Sequence, residues 1–260
     1  MKEKFKAAGL HITINLFLFS ILLFVLLKLW YPSPYFMASG GFQGLKIVAL
    51  VDIVLGPVLT FVIFNKSKSR RDLLTDVGII GFIQIAAFIW GTWTIHNQRP
   101  VATVFWEDGF YTVPAVSLNQ QSFEVKNLVA HGDTLPVYVY VDRTISEERG
   151  DEIFAAMQNT QLPPYEIAAL FENYRLHMDT IAESAFALNK ITAEETPTMR
   201  AQLDSILAAN NKASEDDLLL IKLVSKYRFT LAVLEPSGDI LGFLDVPADE
   251  NTKKTDSPSR

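Results

Sequence analysis

Residues 10–30 read LHITINLFLFSILLFVLLKLW, an apolar run of 21 residues with one charge, Lys28, near its end. No other feature limits the fold as strongly, because about 20 apolar residues are what a helix needs to cross a hydrocarbon core. Two further runs of that length follow, at 45–64 and 77–95. The first run exceeds the ~7–15-residue apolar core of a signal peptide, and the YPSPYF after it offers no small-residue cleavage site. It therefore reads as a retained anchor. The expected architecture is an α-helical membrane protein with three transmembrane helices, followed by a soluble α+β domain.

Charge divides the chain at the same place. Residues 1–98 carry nine Lys/Arg against four Asp/Glu, whereas 99–260 carry fourteen against twenty-five. A basic, apolar front and an acidic back fit a bilayer-facing part and a water-facing part. Phosphate repulsion by the acidic half argues against nucleic acid as a partner. Lys2, Lys4 and Lys6 precede the first run, and Lys66, Lys68, Arg70 and Arg71 lie between the second and third, while YPSPYFMASGGFQG between the first and second has neither Lys nor Arg. The positive-inside rule makes the two basic stretches topology determinants and puts them in the cytoplasm. The expected topology is multi-pass, with a cytoplasmic N-terminus and the domain over 99–246 on the far side, which for the inner membrane of a Gram-negative bacterium is the periplasm.

Polar residues inside the runs need a purpose. A charge at the bilayer centre costs about 2.5–3.5 kcal/mol on insertion scales, so Asp52 is expected to face protein or water. Three- and four-residue spacing puts Ala49, Asp52, Gly56 and Thr60 on one helical stripe. Gln84, with Ala87, Gly91 and Gly81, makes a second stripe, and His11 and Asn15 stand one turn apart on the first run. Pro57 removes a backbone donor and kinks the helix at Asp52's own turn. Small residues let helices approach and polar ones bond across the contact. Two readings stay open: Asp52 joins the chain's own helices, bonded to Gln84, or the set Ala49, Asp52, Gly56, Thr60 and Gln84 docks a helix of another protein.

Beyond Arg99 the periodicity changes. VATVFW (101–106) and FYTV (110–113) flank EDG as a hairpin, LPVYVYVD (135–142) is a further strand, and RFTLAVLEPSGDILGFLDV (228–246) gives two strands about a Pro-Ser-Gly-Asp turn. Between them four helices are expected: 146–159, from Pro164 to Met178, 197–209, and LLLIKLVSKY (218–227), the last capped by Ser214 with Glu215, Asp216 and Asp217. Residues 247–260 lack large apolar side chains and are expected to be a disordered tail. There is no cysteine, and no G-x-S-x-G, H-E-x-x-H, P-loop or G-x-G-x-x-G motif. The expectation is no enzyme, no cofactor and no metal.

LWYPSPYF (29–36), GGFQGLKIV (40–48), VDIVLGPVLTFVIFN (51–65) and KSRRDLLTD (68–76), followed by RPVATVF (99–105), resemble the type IV pilin accessory proteins of the TfpX/TfpZ family. The resemblance covers roughly residues 1–113. It implies an inner-membrane protein that assists production or assembly of type IV pili, with the major pilin as partner and the pilus assembly platform as a further one. Together with the polar stripe it suggests docking and stabilisation of the pilin before incorporation. The alternatives are a pilin-modifying transferase and a structural or sensor subunit of the pilus machine.

Overall fold

Proline decides how the apolar third of the chain folds. The computed structural model describes residues 2–63, 69–143, 146–188, 196–212, 215 and 217–246, and the chain forms two compact units, Met1–Arg99 and Pro100–Arg260. In the first unit, α1 (Lys2–Val25) runs on through a π-helical turn, Leu26–Trp30, and stops before Pro32 and Pro34. A short α2 (Tyr35–Ala38) leads to α3 (Gly41–Ala49), a second π-helical stretch (Leu50–Leu55) and α4 (Gly56–Ile63). The last helix of the unit is α5 (Arg70–Asn97). Ser69 caps it by accepting a 3.2 Å bond from the Asp72 N–H, and the Asp72 carboxylate stands in the positive first turn.

The expectation of three transmembrane helices is corrected here. Among the described residues two helices are long and apolar enough to cross a membrane, Gly9–Trp30 and Thr75–Asn97. The run expected at 45–64 is divided into pieces of nine, six and eight residues, each far below crossing length. Pro57 is the physical reason, since it has no N–H to give. A shift to π-helical spacing absorbs that misfit.

The second unit is built on a seven-stranded sheet in the order β4-β3-β1-β2-β5-β6-β7. Its strands are β1 (Pro100–Trp106), β2 (Gly109–Pro114), β3 (Val137–Tyr140), β4 (Glu172–Asn173), β5 (Leu219–Val224), β6 (Phe229–Leu234) and β7 (Ile240–Asp245). β1 and β2 form a hairpin in which Thr103 faces Thr112 and Phe105 faces Phe110, with Glu107 at a φ of +57° in the turn. β3 joins β1 and β5 joins β2 in parallel, so each arrives by a crossover. Gly109 makes the second junction possible: a Cβ there would lie 2.7 Å from the Lys222 carbonyl oxygen of β5.

Alternation fills both faces. Val104 of β1 with Val137 and Val139 of β3 buries against Leu118 of α6 (Ala115–Gln120), Leu128, Ile167 and Leu170, with Ile153 of α7 (Glu147–Thr160) packed alongside. Further along the sheet, Leu220, Leu231, Val233 and Leu244 bury against Met199 and Leu203 of α9 (Pro197–Ala209). On the opposite side of β1, Phe105 meets Phe110 edge-on at 5.5 Å and stacks on Tyr140 at 5.9 Å, and Tyr174 donates a 2.7 Å bond to the Gly238 carbonyl. A further helix, α8 (Met178–Glu183), completes the described set.

Two expected helices take other forms. LLIKLV (219–224) is β5 rather than a helix, because Leu220, Ile221 and Leu223 bury on both faces of the sheet between β2 and β6. The stretch from Pro164 to His177 is three 3₁₀ turns and the two residues of β4, with α8 beginning only at Met178. The expected helices at 146–159 and 197–209 match α7 and α9 within a residue, and Ser146 caps α7 by accepting from the Arg149 N–H at 3.1 Å. The expected tail at 247–260 lies outside the described residues.

Candidate functional site

Pro57 also shapes a part of the helical unit where polar side chains gather. In the π-helical stretch each carbonyl takes its bond from the N–H five residues on, and the Gly56 N–H accordingly donates to the Val51 carbonyl. The next carbonyl in that register, Asp52's, would need the N–H that Pro57 lacks. The side-chain amide of Asn15 on α1 donates to it instead. An orphan created by one helix is thus satisfied by a neighbour, the arrangement that lets proline persist in apolar helices.

Beside this junction the two long helices and the broken one leave an open cavity of about 520 Å³. Its walls are apolar, with Leu10, Ile14 and Leu18 from α1 and Val77, Ile85 and Phe88 from α5. His11, Asn15, Asp52 and Gln84 supply the polar lining. Asp52 is 7% exposed and Gln84 8% exposed. Both Gln84 amide atoms, Oε1 and Nε2, are buried without a hydrogen-bond partner among the described residues. Gly56 is what admits that amide: a Cβ at position 56 would stand 2.7 Å from Gln84 Cδ.

The ends of the same helices are tied together by aromatic and backbone contacts. Tyr31 donates its hydroxyl to the Ile95 carbonyl at 2.9 Å, His96 meets the Trp30 ring edge-on at 4.7 Å, and Arg99 donates to the His96 carbonyl at 2.7 Å. Gly91 of α5 accepts Val48 of α3 closely; a Cβ at 91 would lie 3.3 Å from it. These contacts hold one end of the helical unit while the cavity stays open along α1 and α5.

Of the residues expected to dock a helix, Asp52 and Gln84 line this cavity and Gly56 packs beneath Gln84. Ala49 is half-buried on α3 and is not part of the lining. Thr60 belongs to α4, but its side chain lies outside the described residues, as do Lys66 and Lys68 altogether; Arg70 opens α5 and Arg71 is exposed. Asp52 and Gln84 do not bond to each other. Asn15 is the residue the docking set omitted. Asking which carbonyl Pro57 orphans, and which amide could reach it, would have found it. Among the described residues no three His, Cys, Asp or Glu side chains come together to hold a metal.

The two units define a class: an apolar helical bundle with a polar-floored cavity, joined to an α+β domain. Residues 1–40, which include all of α1, match the family model described as Fimbrial assembly protein FimB. Over 100 residues the chain is 36% identical to a Dichelobacter nodosus "Fimbrial assembly protein, serogroups C1 and C2", covering 38% of this chain and 76% of that one. It is likewise 36% identical to the serogroup I protein and 35% identical to the serogroup E1 protein of the same organism, spanning 39% of each of these. No solved structure matches the chain. The chain belongs to the fimbrial assembly protein family, in keeping with its resemblance to pilin accessory proteins.

Proposed function

We propose that this protein assists type IV fimbrial assembly without catalysing a reaction, holding the major pilin in the inner membrane before it is incorporated. The single observation that carries the reading is the pair Asp52 and Gln84, side chains buried on the floor of an apolar cavity, with both Gln84 amide atoms unpartnered among the described residues. Intramembrane polar groups without internal partners are sites for another helix, since hydrocarbon offers them nothing. The relatives' description as fimbrial assembly proteins supports the same assignment.

The proposal includes a location. The exposed apolar faces of Gly9–Trp30 and Thr75–Asn97 support anchoring in a bilayer. With the basic stretch at 66–71 on the cytoplasmic side, one crossing by Thr75–Asn97 carries the acidic domain into the periplasm; Lys2, Lys4 and Lys6 share the cytoplasmic side if Gly9–Trp30 anchors without a full crossing. A reporter fused after Arg99 is expected to be active there and silent in the cytoplasm; the reverse pattern removes the domain from the periplasm.

Asp52→Leu, expressed at the wild-type level, is expected to lower surface piliation by about tenfold or more, the loss that ~1.4 kcal/mol of contact energy produces. Unchanged piliation in that strain would exclude Asp52 from the docking role.

A further inference from the structure

We infer that the cavity between α1 and α5 takes one apolar helix that brings a hydrogen-bond donor to Asp52 and Gln84. The inference rests on the docking role proposed above and names the chemistry that fills it. Three observations lead there. The walls are aliphatic and aromatic, so the body of the occupant is apolar. Asp52 is more than nine-tenths buried and lines the cavity. Gln84 is buried to the same degree, with its amide Oε1 and Nε2 unpartnered.

Charge and hydrogen bonding then select the occupant. An ionised Asp52 carboxylate is an acceptor only, and Gln84 offers both an acceptor and two donors. A group that donates to the carboxylate and also pairs with the Gln84 amide satisfies both at once: an amide or an ammonium donates to both, and a hydroxyl donates to the carboxylate and accepts from Gln84 Nε2. An acyl chain fills the same volume but leaves both polar groups as they are. A phosphate headgroup brings negative charge toward Asp52. The complementary partner is therefore a helix with one donor on an otherwise apolar face. Asn15, already committed to the Asp52 carbonyl, fixes the floor rather than joining the exchange.

The cavity also predicts an unusual pairing of effects. Gln84→Met keeps the volume and removes the unpartnered amide. In the free protein this raises thermal stability, because an unsatisfied buried polar group costs more than an apolar one of the same shape. With the partner it removes half of the recognition. A substitution that stabilises the protein while weakening its complex is what a binding site predicts, and a purely internal packing role does not.

The test places a photo-crosslinking residue at Ile85, which lines the cavity, and at Ile47, an exposed α3 residue outside it, in full-length protein in native membranes. Pilin copurification is measured in parallel. The expected result is a pilin adduct from Ile85, reduced about tenfold by Gln84→Met and by Asp52→Leu at equal protein abundance, with a raised melting temperature for Gln84→Met in detergent. Pilin that copurifies while Ile85 labels only lipid, or only a second copy of this chain, overturns the cavity assignment and leaves the docking role standing. Pilin that neither copurifies nor crosslinks from either position overturns both. An Ile85 adduct of undiminished intensity in both variants overturns the assignment of Asp52 and Gln84.

Discussion

The two units of this chain obey opposite rules. In Pro100–Arg260 the large apolar side chains are inside: Phe110, Leu118, Leu203 and Leu220 are fully buried. In Met1–Arg99 many of them face outward, Phe17, Phe82 and Trp90 among them, while Asp52 and Gln84 are buried. The comparison teaches that burial has no fixed sign; it follows the solvent. Water drives apolar area inward at roughly 25 cal/mol per Å², whereas hydrocarbon gives no such push and leaves polar contacts and close packing to hold helices together. The inversion is the physical ground for proposing a bilayer around the first unit.

The sharpest way to break the comparison is to delete the same side chain in each unit. Phe110→Ala is expected to cost about 3–5 kcal/mol of stability, as buried phenylalanine truncations do. Phe82→Ala, at a position 74% exposed, is expected to leave stability in detergent within about 0.5 kcal/mol, the range of ordinary surface changes. Thermal unfolding of the two variants checks both. A large loss at Phe82 would mean that the apolar surface of α5 is an interior.

A smaller effect sharpens the account of the helical unit. Gly56→Ala forces a methyl against Gln84, and overpacking of this kind costs roughly 1–3 kcal/mol. Combining it with Gln84→Ala is expected to recover part of the loss, because the clash is with that side chain. Equal melting temperatures for single and double variants would show that position 56 is limited by something else.

The smallest effect concerns the water-facing unit. Arg175 donates to the Asp239 carboxylate at 2.7 Å and Ser237 donates at 3.0 Å, and the two bonds hold the Asp239 carboxyl below its usual pKa. A carboxylate lowered in the folded state adds stability above the unfolded pKa, and that stability is lost as pH falls through the folded value. Arg175→Gln is therefore expected to lower the melting temperature slightly at pH 7, with the difference from wild type vanishing under acid. The site is exposed, so salt is expected to shrink the difference as well. A difference that persists at low pH and high salt would assign Arg175 a packing role instead.

Legibility in the sequence followed the length scale of each cause. The hairpins were readable because alternation and turn residues are local, as VATVFW with FYTV and the Pro-Ser-Gly-Asp turn show. LLLIKLV was misleading because Glu215 and Asp217 before it mimic a helix start, while its real partners, β2 and β6, include one more than 100 residues away. The middle apolar run was misjudged for the opposite reason. Its composition is right for a long helix, but one residue, Pro57, alters the hydrogen-bond register over Leu50–Leu55. In the site, Asp52, Gly56 and Gln84 stood out by type and spacing, whereas the role of Asn15 depends on which carbonyl a neighbouring helix leaves open.

The sequence by itself determined that the chain has an apolar, basic front and an acidic back. It also determined the turns, the helix start at Ser146, and which residues are costly to bury. Each of these depends on one residue type or on a few neighbours. Only the tertiary structure decided that β5 pairs in parallel with β2, that Asn15 answers for the proline in another helix, and that Asp52 and Gln84 share a cavity without bonding to each other. Those outcomes depend on the approach of segments distant in sequence, where hydrogen-bond geometry over a few tenths of an ångström selects among partners that composition cannot tell apart.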